Sequence, residues 1–306
     1  MKHHNRAEEF NTYWIAMQQK SRMYEDTEIT PDNVFQEAHL ENRDLLLQTI
    51  RKCHLPGSGI LGAENIQQLA ELAENGKSCL ILSEHVSNMD VPNLFVRFYE
   101  HEHLKMKSIF ERIVFISGTK LNENPWVKLF TEMFSRVVVY AFRSLSTLKE
   151  KNESTEELEL ANKVNLRATR KISELKNQGF LLYLFASGTR YRPWAPETKK
   201  GIPAVYSYLK LFDYFCCVSL NGNNMPPVET EDMVMEPIFD DTIVINFGPV
   251  IDAREFLKSF DDGCDPELEN DCGSDKNCLK QYVADKIMEK IEDLHTKAEK
   301  HRLMTD

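Results

Sequence analysis

Positive charge is in short supply in this chain: 37 Lys and Arg face 48 Asp and Glu, a formal net charge of −11. Proteins that grip nucleic acid concentrate Lys and Arg against the phosphates, so this balance excludes nucleic acid as a main partner. It also discourages broad docking on anionic lipid. No apolar run approaches the roughly 20 residues that span a bilayer. The opening residues Met1-Lys-His-His-Asn-Arg6 lead into polar sequence without the apolar stretch of a secretion signal. The expectation is a cytoplasmic protein, soluble or peripheral to a membrane. No Cys-x2-Cys pair occurs, which leaves a zinc site unsupported. Seven cysteines, with Cys79, Cys216 and Cys217 in apolar runs, read as reduced buried thiols of a reducing compartment.

What is present is ample for a core: 306 residues, 42% hydrophobic, enough for one large α/β domain or for one domain with a small appendage. Residues 5 to 52 read as helical, with Thr30-Pro-Asp-Asn33 starting a second helix. Phe10, Tyr13, Trp14 and Met17 make a stripe that reads first as core packing and second as a contact for a membrane or an acyl chain. Transient membrane contact therefore stays open. Leu55-Pro-Gly-Ser-Gly59 marks a boundary between a helical segment, 1–56, and an α/β domain, 57–306.

Beyond that boundary, apolar runs at 79–82, 113–116, 137–142, 180–185, 215–220 and 243–247 alternate with helical patterns at 64–75 and 146–177, and a last helix is expected at 279–303. The series predicts an α/β fold with a central, mostly parallel sheet flanked by helices. Ligands of such sheets bind beyond the carboxyl ends of the strands. The acidic stretch Asp261 to Cys278 reads as a mobile loop, with calcium or a disulfide as alternatives.

Two segments fall where that crevice should be. The first runs Cys79-Leu-Ile-Leu-Ser-Glu-His85-Val-Ser-Asn-Met-Asp90, a strand and then a helix signalled by Val91, Leu94, Phe95 and Phe98, with Asp90 as its cap. Five residues of continuous helix rotate about 500° and would part His85 from Asp90, whereas a turn can fold the carboxylate back to the ring. A carboxylate on one imidazole nitrogen leaves the other free to take a proton from a hydroxyl. Set against this, Asp90 could simply cap its helix and His85 be a polar turn residue. The second segment, Phe180 to Phe185 followed by Ala-Ser-Gly-Thr-Arg190-Tyr-Arg192, carries two arginines at i and i+2. In an extended chain they point the same way, a pair of forks suited to phosphate.

Together these segments resemble the glycerolipid acyltransferases, whose first block is His-x4-Asp and whose third resembles Phe185-Ala-Ser-Gly-Thr-Arg190. Ser187 stands where the bacterial lysophosphatidate enzymes carry Glu, which looks more like the soluble plastid-type glycerol-3-phosphate acyltransferases. Ile116-Ser-Gly-Thr-Lys120 and the strand from Val137 support that branch, with Arg143 and Ser144 where its Lys-His pair would stand. The resemblance implies His85 and Asp90 as catalytic, and Arg143, Arg190, Arg192 and Lys199 as ligands of the substrate phosphate. Ser187, Gly188, Thr189 and Lys120 would line the site. It further implies a chain moved from acyl carrier protein or acyl-coenzyme A to the sn-1 hydroxyl of glycerol-3-phosphate, with no cofactor. A lysophosphatidate acyltransferase and a non-catalytic phospholipid or carrier-protein binding module are the alternatives.

Overall fold

A computed structural model describes residues 5–22, 25, 28–122, 124–140, 155–229, 236–260 and 275–305. Side-chain alternation along its strands decides the layering, because successive residues of a strand face opposite ways. In β3 (Cys79–Ser83), Cys79 and Ile81 enter one apolar cluster while Leu80 and Leu82 enter another. The neighbouring strands β6 (Leu181–Phe185) and β7 (Tyr214–Asn221) divide their residues in the same way. A strand buried on both faces needs helices on both sides, and they are there.

One layer holds α1 (Ala7–Gln18), α2 (Arg43–Ile50), α3 (Ala63–Glu74), α4 (Asp90–Tyr99), α5 (Lys105–Phe110) and α6 (Pro125–Thr131). The other holds α7 (Thr155–Asn177), α8 (Ala204–Leu209), α9 (Ala253–Lys258) and α10 (Lys276–Thr305). The sheet is completed by β1 (Phe35–Gln36), β2 (Gly59–Leu61), β4 (Ile113–Gly118), β5 (Arg136–Val139), β8 (Val244–Phe247) and β9 (Ile251–Asp252). Its order is β1-β5-β4-β6-β3-β7-β8-β2, with β9 on β7. Pairing is parallel at β3/β6, β3/β7, β4/β5, β4/β6 and β2/β8. It is antiparallel at β1/β5, β7/β8 and β7/β9. The protein is thus an α/β fold on a central, mostly parallel sheet, with a small helical amino-terminal segment.

Some expectations hold and others change. Thr30 to Asn33 do not open a helix: the Asn33 side chain accepts from the Thr30 N–H at 2.8 Å and Thr30 Oγ1 accepts from the Asp32 N–H. Such local bonds compete with helix and favour a turn. The chain then forms β1, and α2 begins only at Arg43. The run at 243–247 forms β8 as expected but lies antiparallel to β7, a direction that an apolar run does not encode. The stripe Phe10, Tyr13, Trp14, Met17 is core packing: Phe10 and Met17 are fully buried, and Trp14 meets Phe130 edge-on with ring centres 4.9 Å apart. Phe10, Met17, Leu46, Ile50 and Cys53 pack in the same apolar cluster as one face of the sheet. Last, Cys53, Cys79, Cys216 and Cys217 are free and buried, but Cys278 is disulfide-bonded. The cysteines therefore give no argument for a reducing compartment.

The helix before β3 ends as expected at Asn75-Gly76, where Gly76 takes φ 79°, the left-handed conformation that closes helices. Among the described residues no helix is long and apolar enough to cross a membrane. The acidic stretch 261–274 lies outside the described residues.

Candidate active site

The end of β3 carries Glu84 and then His85, and the chain turns before entering α4 at Asp90. Asp90 is the first residue of that helix and does not cap it: Met89 occupies the cap position, without a side-chain bond. The Asp90 carboxylate instead reaches back over the turn. Its Oδ2 accepts from the Val86 N–H at 2.8 Å and the Ser87 N–H at 3.1 Å, and lies 2.7 Å from His85 Nδ1. An oxygen already receiving two N–H donors has no proton to give, so Nδ1 is the donor, and in the neutral ring the lone pair lies on Nε2. Among the described residues Nε2 has no hydrogen-bond partner. The ring is stacked on Phe185, centroids 4.0 Å apart and planes 20° from parallel. Asp90 is almost wholly buried and His85 about a fifth exposed.

The turn is held from three sides. Tyr191 N–H donates to the His85 carbonyl at 2.8 Å, which ties the segment after β6 to the segment after β3. The Ser87 hydroxyl donates to the Met225 carbonyl, and the Asn223 side chain donates to the Val86 carbonyl. Asn93, on the first turn of α4, exchanges hydrogen bonds with Asn224, and its Oδ1 accepts from His54 Nε2–H at 2.8 Å. His54 is half-buried near Arg97, and desolvation first, the Arg97 charge second, depresses its pKa to about 3 despite the Asn93 bond. A neutral His54 is thus part of the scaffold.

A small cavity of about 110 Å³ opens at this end of the sheet, lined by Glu84, His85, Val86, Ser187, Tyr191, Lys199, Met288 and His295. Of the residues singled out from sequence, His85, Ser187 and Lys199 meet there. Gly188 takes φ 62°, and a Cβ would lie 3.0 Å from the Ile202 side chain, so the turn after β6 requires glycine. The Ser187 hydroxyl is turned to the Thr189 carbonyl at 2.6 Å, and Thr189 lies 3.5 Å from an Arg192 nitrogen. Lys199, half-exposed, pairs with Glu292 at 2.6 Å. Lys120 is exposed on the turn after β4 and does not border the cavity. Arg143 and Ser144 lie outside the described residues.

The two arginines do not form one clamp. Tyr191, which stands between them, borders the cavity. Arg190 makes a two-pronged pair with the buried Glu236, both contacts 2.6 Å, and Glu236 also accepts from the Asn88 side chain at 3.0 Å. Arg190 is thereby occupied in steadying the turn that bears His85, while Arg192 has no acidic partner among the described residues. Glu236 was missed because nothing in its local sequence marks it; only its contact with a residue 46 positions away does.

A second imidazole was missed as well. His295, on α10, sets Nδ1 2.7 Å from Glu84 Oε1, and the same oxygen accepts from the Leu220 N–H at 2.6 Å. Burial raises the Glu84 pKa, opposed by His295 and by that N–H. For His295, burial opposes the charge, yet the bond to Glu84 and the negative charges of Glu84, Glu292 and Glu299 prevail, and its pKa rises. The only sequence signal was Glu84 itself, a charged residue directly after a fully buried strand.

Among the described residues no three His, Cys, Asp or Glu side chains stand together as a metal cage would require. A larger cavity, about 860 Å³, lies at the opposite end of the sheet between Lys77, Ser78, Lys176, Asp213 and Arg254, with no histidine or cysteine on its walls. Chemistry and not size puts the candidate site at the smaller one.

No protein-family model and no curated protein matches the chain. Among solved structures, a 1-acyl-sn-glycerophosphate (LPA) acyltransferase, PlsC, from Thermotoga maritima aligns over 94% of this chain and 96% of its own, at 15% identity and a TM-score of 0.44. A likeness of that degree leaves function to be argued from the residues themselves.

Proposed function

We propose that the protein moves an acyl chain from a thioester to a hydroxyl of a phosphorylated glycerol, with His85 as the general base. The observation that carries this is the His85 Nδ1–Asp90 Oδ2 bond of 2.7 Å, which leaves Nε2 without a partner at the edge of the cavity. The hydroxyl oxygen attacks the thioester carbonyl while Nε2 takes its proton, and the buried Asp90 carboxylate stabilises the imidazolium. No covalent acyl-enzyme is needed. The Val86 and Ser87 N–H groups are spent on Asp90, so an oxyanion must find donors elsewhere.

Arg192 and Lys199 are the cations we assign to the phosphate. The exposed Lys199–Glu292 pair exchanges readily for a doubly charged ligand. Arg190 takes the role of positioning residue, because drawing it from Glu236 would strand a buried carboxylate. Arg143, expected beside them, remains a candidate phosphate ligand from the resemblance alone.

Glycerol-3-phosphate, acylated at its sn-1 hydroxyl, is the acceptor we favour. A cavity of about 110 Å³ is small beside the roughly 300–1,000 Å³ of ordinary ligand pockets. It suits a short polar acceptor better than one that carries an acyl chain. Acyl carrier protein and acyl-coenzyme A both remain as donors. The test is free-thiol release from each donor with glycerol-3-phosphate and lysophosphatidate offered separately. Release with glycerol-3-phosphate supports the favoured acceptor. Release only with lysophosphatidate makes the protein an sn-2 enzyme, and silence in all four pairings with retained phospholipid binding makes it a binding module.

A further inference from the structure

The cavity of His85 is faced by a second histidine–carboxylate pair built like the first. Glu84 and His85 are consecutive. His85 is held through Nδ1 by Asp90, and Glu84 holds His295 through its Nδ1, each at 2.7 Å. In both pairs a backbone N–H occupies the carboxylate oxygen, Val86 and Ser87 for Asp90 and Leu220 for Glu84, so that both Nδ1 atoms are donors. Both rings line the same cavity, and neither Nε2 has a hydrogen-bond partner among the described residues. Burying a carboxylate such as Glu84 costs several kcal/mol unless its partners compensate. Fastening a terminal helix needs no such arrangement, since α10 already buries Val283, Ala284, Ile287, Ile291 and Ala298.

We propose that His295, held by Glu84, is a second proton-handling residue of this site and protonates the sulfur that leaves the acyl thioester; this rests on the acyl-transfer reading. The groups around the two imidazoles differ in the direction this requires. His85 has one carboxylate, saturated by backbone donors. His295 has Glu84 from β3's end and Glu292 and Glu299 from its own helix. Lys199, from the turn after β6, offsets Glu292, and Arg302 offsets Glu299. The balance favours the protonated ring on His295, a donor beside the acceptor on His85. In the step, the hydroxyl oxygen forms its bond to the carbonyl carbon as His85 Nε2 takes the hydroxyl proton. The electrons pushed onto the carbonyl oxygen return as the C–S bond breaks, and the sulfur takes the Nε2 proton of His295. Ester and free thiol leave. Transfer of one proton through solvent from His85 to His295 restores both.

The sign of the pH dependence follows. His295 is an acid only below its raised pKa, so the rate falls on the alkaline side as that proton is lost. The test compares wild type, H295Q and E84Q with an alkyl thioester, acyl-coenzyme A, and an aryl thioester of the same chain, whose thiolate needs no acid. H295Q should lose about 100-fold with the alkyl donor, the lower end of the range for general acids. It should also lose the alkaline limb and return to within about threefold of wild type with the aryl donor. E84Q, which keeps an acceptor for Nδ1 but not the charge, should move the alkaline limb to lower pH, and it serves if H295Q fails to fold. Equal loss with both donors, or an alkaline limb unmoved in both variants, would overturn the proposal and leave His295 a structural contact. Wild type releasing no thiol from either donor would instead remove the acyl-transfer reading itself.

Discussion

The two ends of β3 make an instructive pair. At its amino end lies the larger cavity, about 860 Å³, yet its Ser78 and Asp213 satisfy one another. Asp213 accepts from the Ser78 N–H and hydroxyl at 2.9 and 2.8 Å, and Ser78 accepts in return from Asp213 N–H. At its carboxyl end the cavity is about 110 Å³, but two imidazoles leave a nitrogen unpartnered at its wall. Five residues of one strand separate a closed hydrogen-bond circuit from an open one. Groups fixed by their neighbours and left with one unpartnered nitrogen can do work; room alone cannot.

The sharpest way to break that contrast is at His85. Asp90→Asn should lower turnover by on the order of 10²- to 10⁴-fold, the range of a displaced general base, with a thermal midpoint showing a folded chain. A loss of fold rather than of rate would make the turn structural at both ends. Next comes Arg190→Ala. If Arg190 secures the turn through Glu236, breaking this buried pair costs about 3–5 kcal/mol in denaturant unfolding. An unchanged midpoint with a raised KM for the phosphorylated acceptor would return Arg190 to the phosphate.

A smaller effect is expected on the scaffold behind the turn. His54 has its pKa lowered to about 3 by burial and by Arg97, while the unfolded chain takes up the proton near the ordinary value of about 6.5. Stability is therefore complete above about pH 6.5 and falls as the pH drops toward 3, by up to a few kcal/mol at about 1.4 kcal/mol per unit. His54→Gln should flatten that slope in urea midpoints taken across the interval. The smallest effect belongs to the amino end. Hydrogen bonds from the Ser78 N–H, opposed by burial and helped by the Ser78 hydroxyl, Lys77 and Lys176, hold Asp213 below the usual carboxylate range. A depressed acid stabilises above its unfolded pKa and loses that as pH falls through the folded one, so Asp213→Asn should trim the acid end of the stability curve. Thiol release should stay at the wild-type rate; a fall would bring the larger cavity into the chemistry.

Legibility in the sequence follows distance along the chain. His85 and Asp90 are five apart, and a strand run, a turn and a helical pattern were enough to bring them together. The six long apolar runs appear as strands β3 to β8 because each is four residues or more and buried. β1 and β9 have two residues each and carry no periodicity to read. Local spacing suggested that Arg190 and Arg192 act as one, but a carboxylate brought in by the loop beyond β7 divides them. Glu84 and His295 stand 211 residues apart, and only the packing of α10 across β7 and β8 makes them neighbours.

The measurement that bears most directly on the central claim is free-thiol release from an acyl thioester, with a phosphorylated glycerol acceptor, by wild type and a folded His85→Ala protein side by side. Acceptor-dependent release by wild type and a fall of at least about 100-fold in the variant is the predicted result. Equal release by the two proteins would contradict it, and would take the general base away from His85.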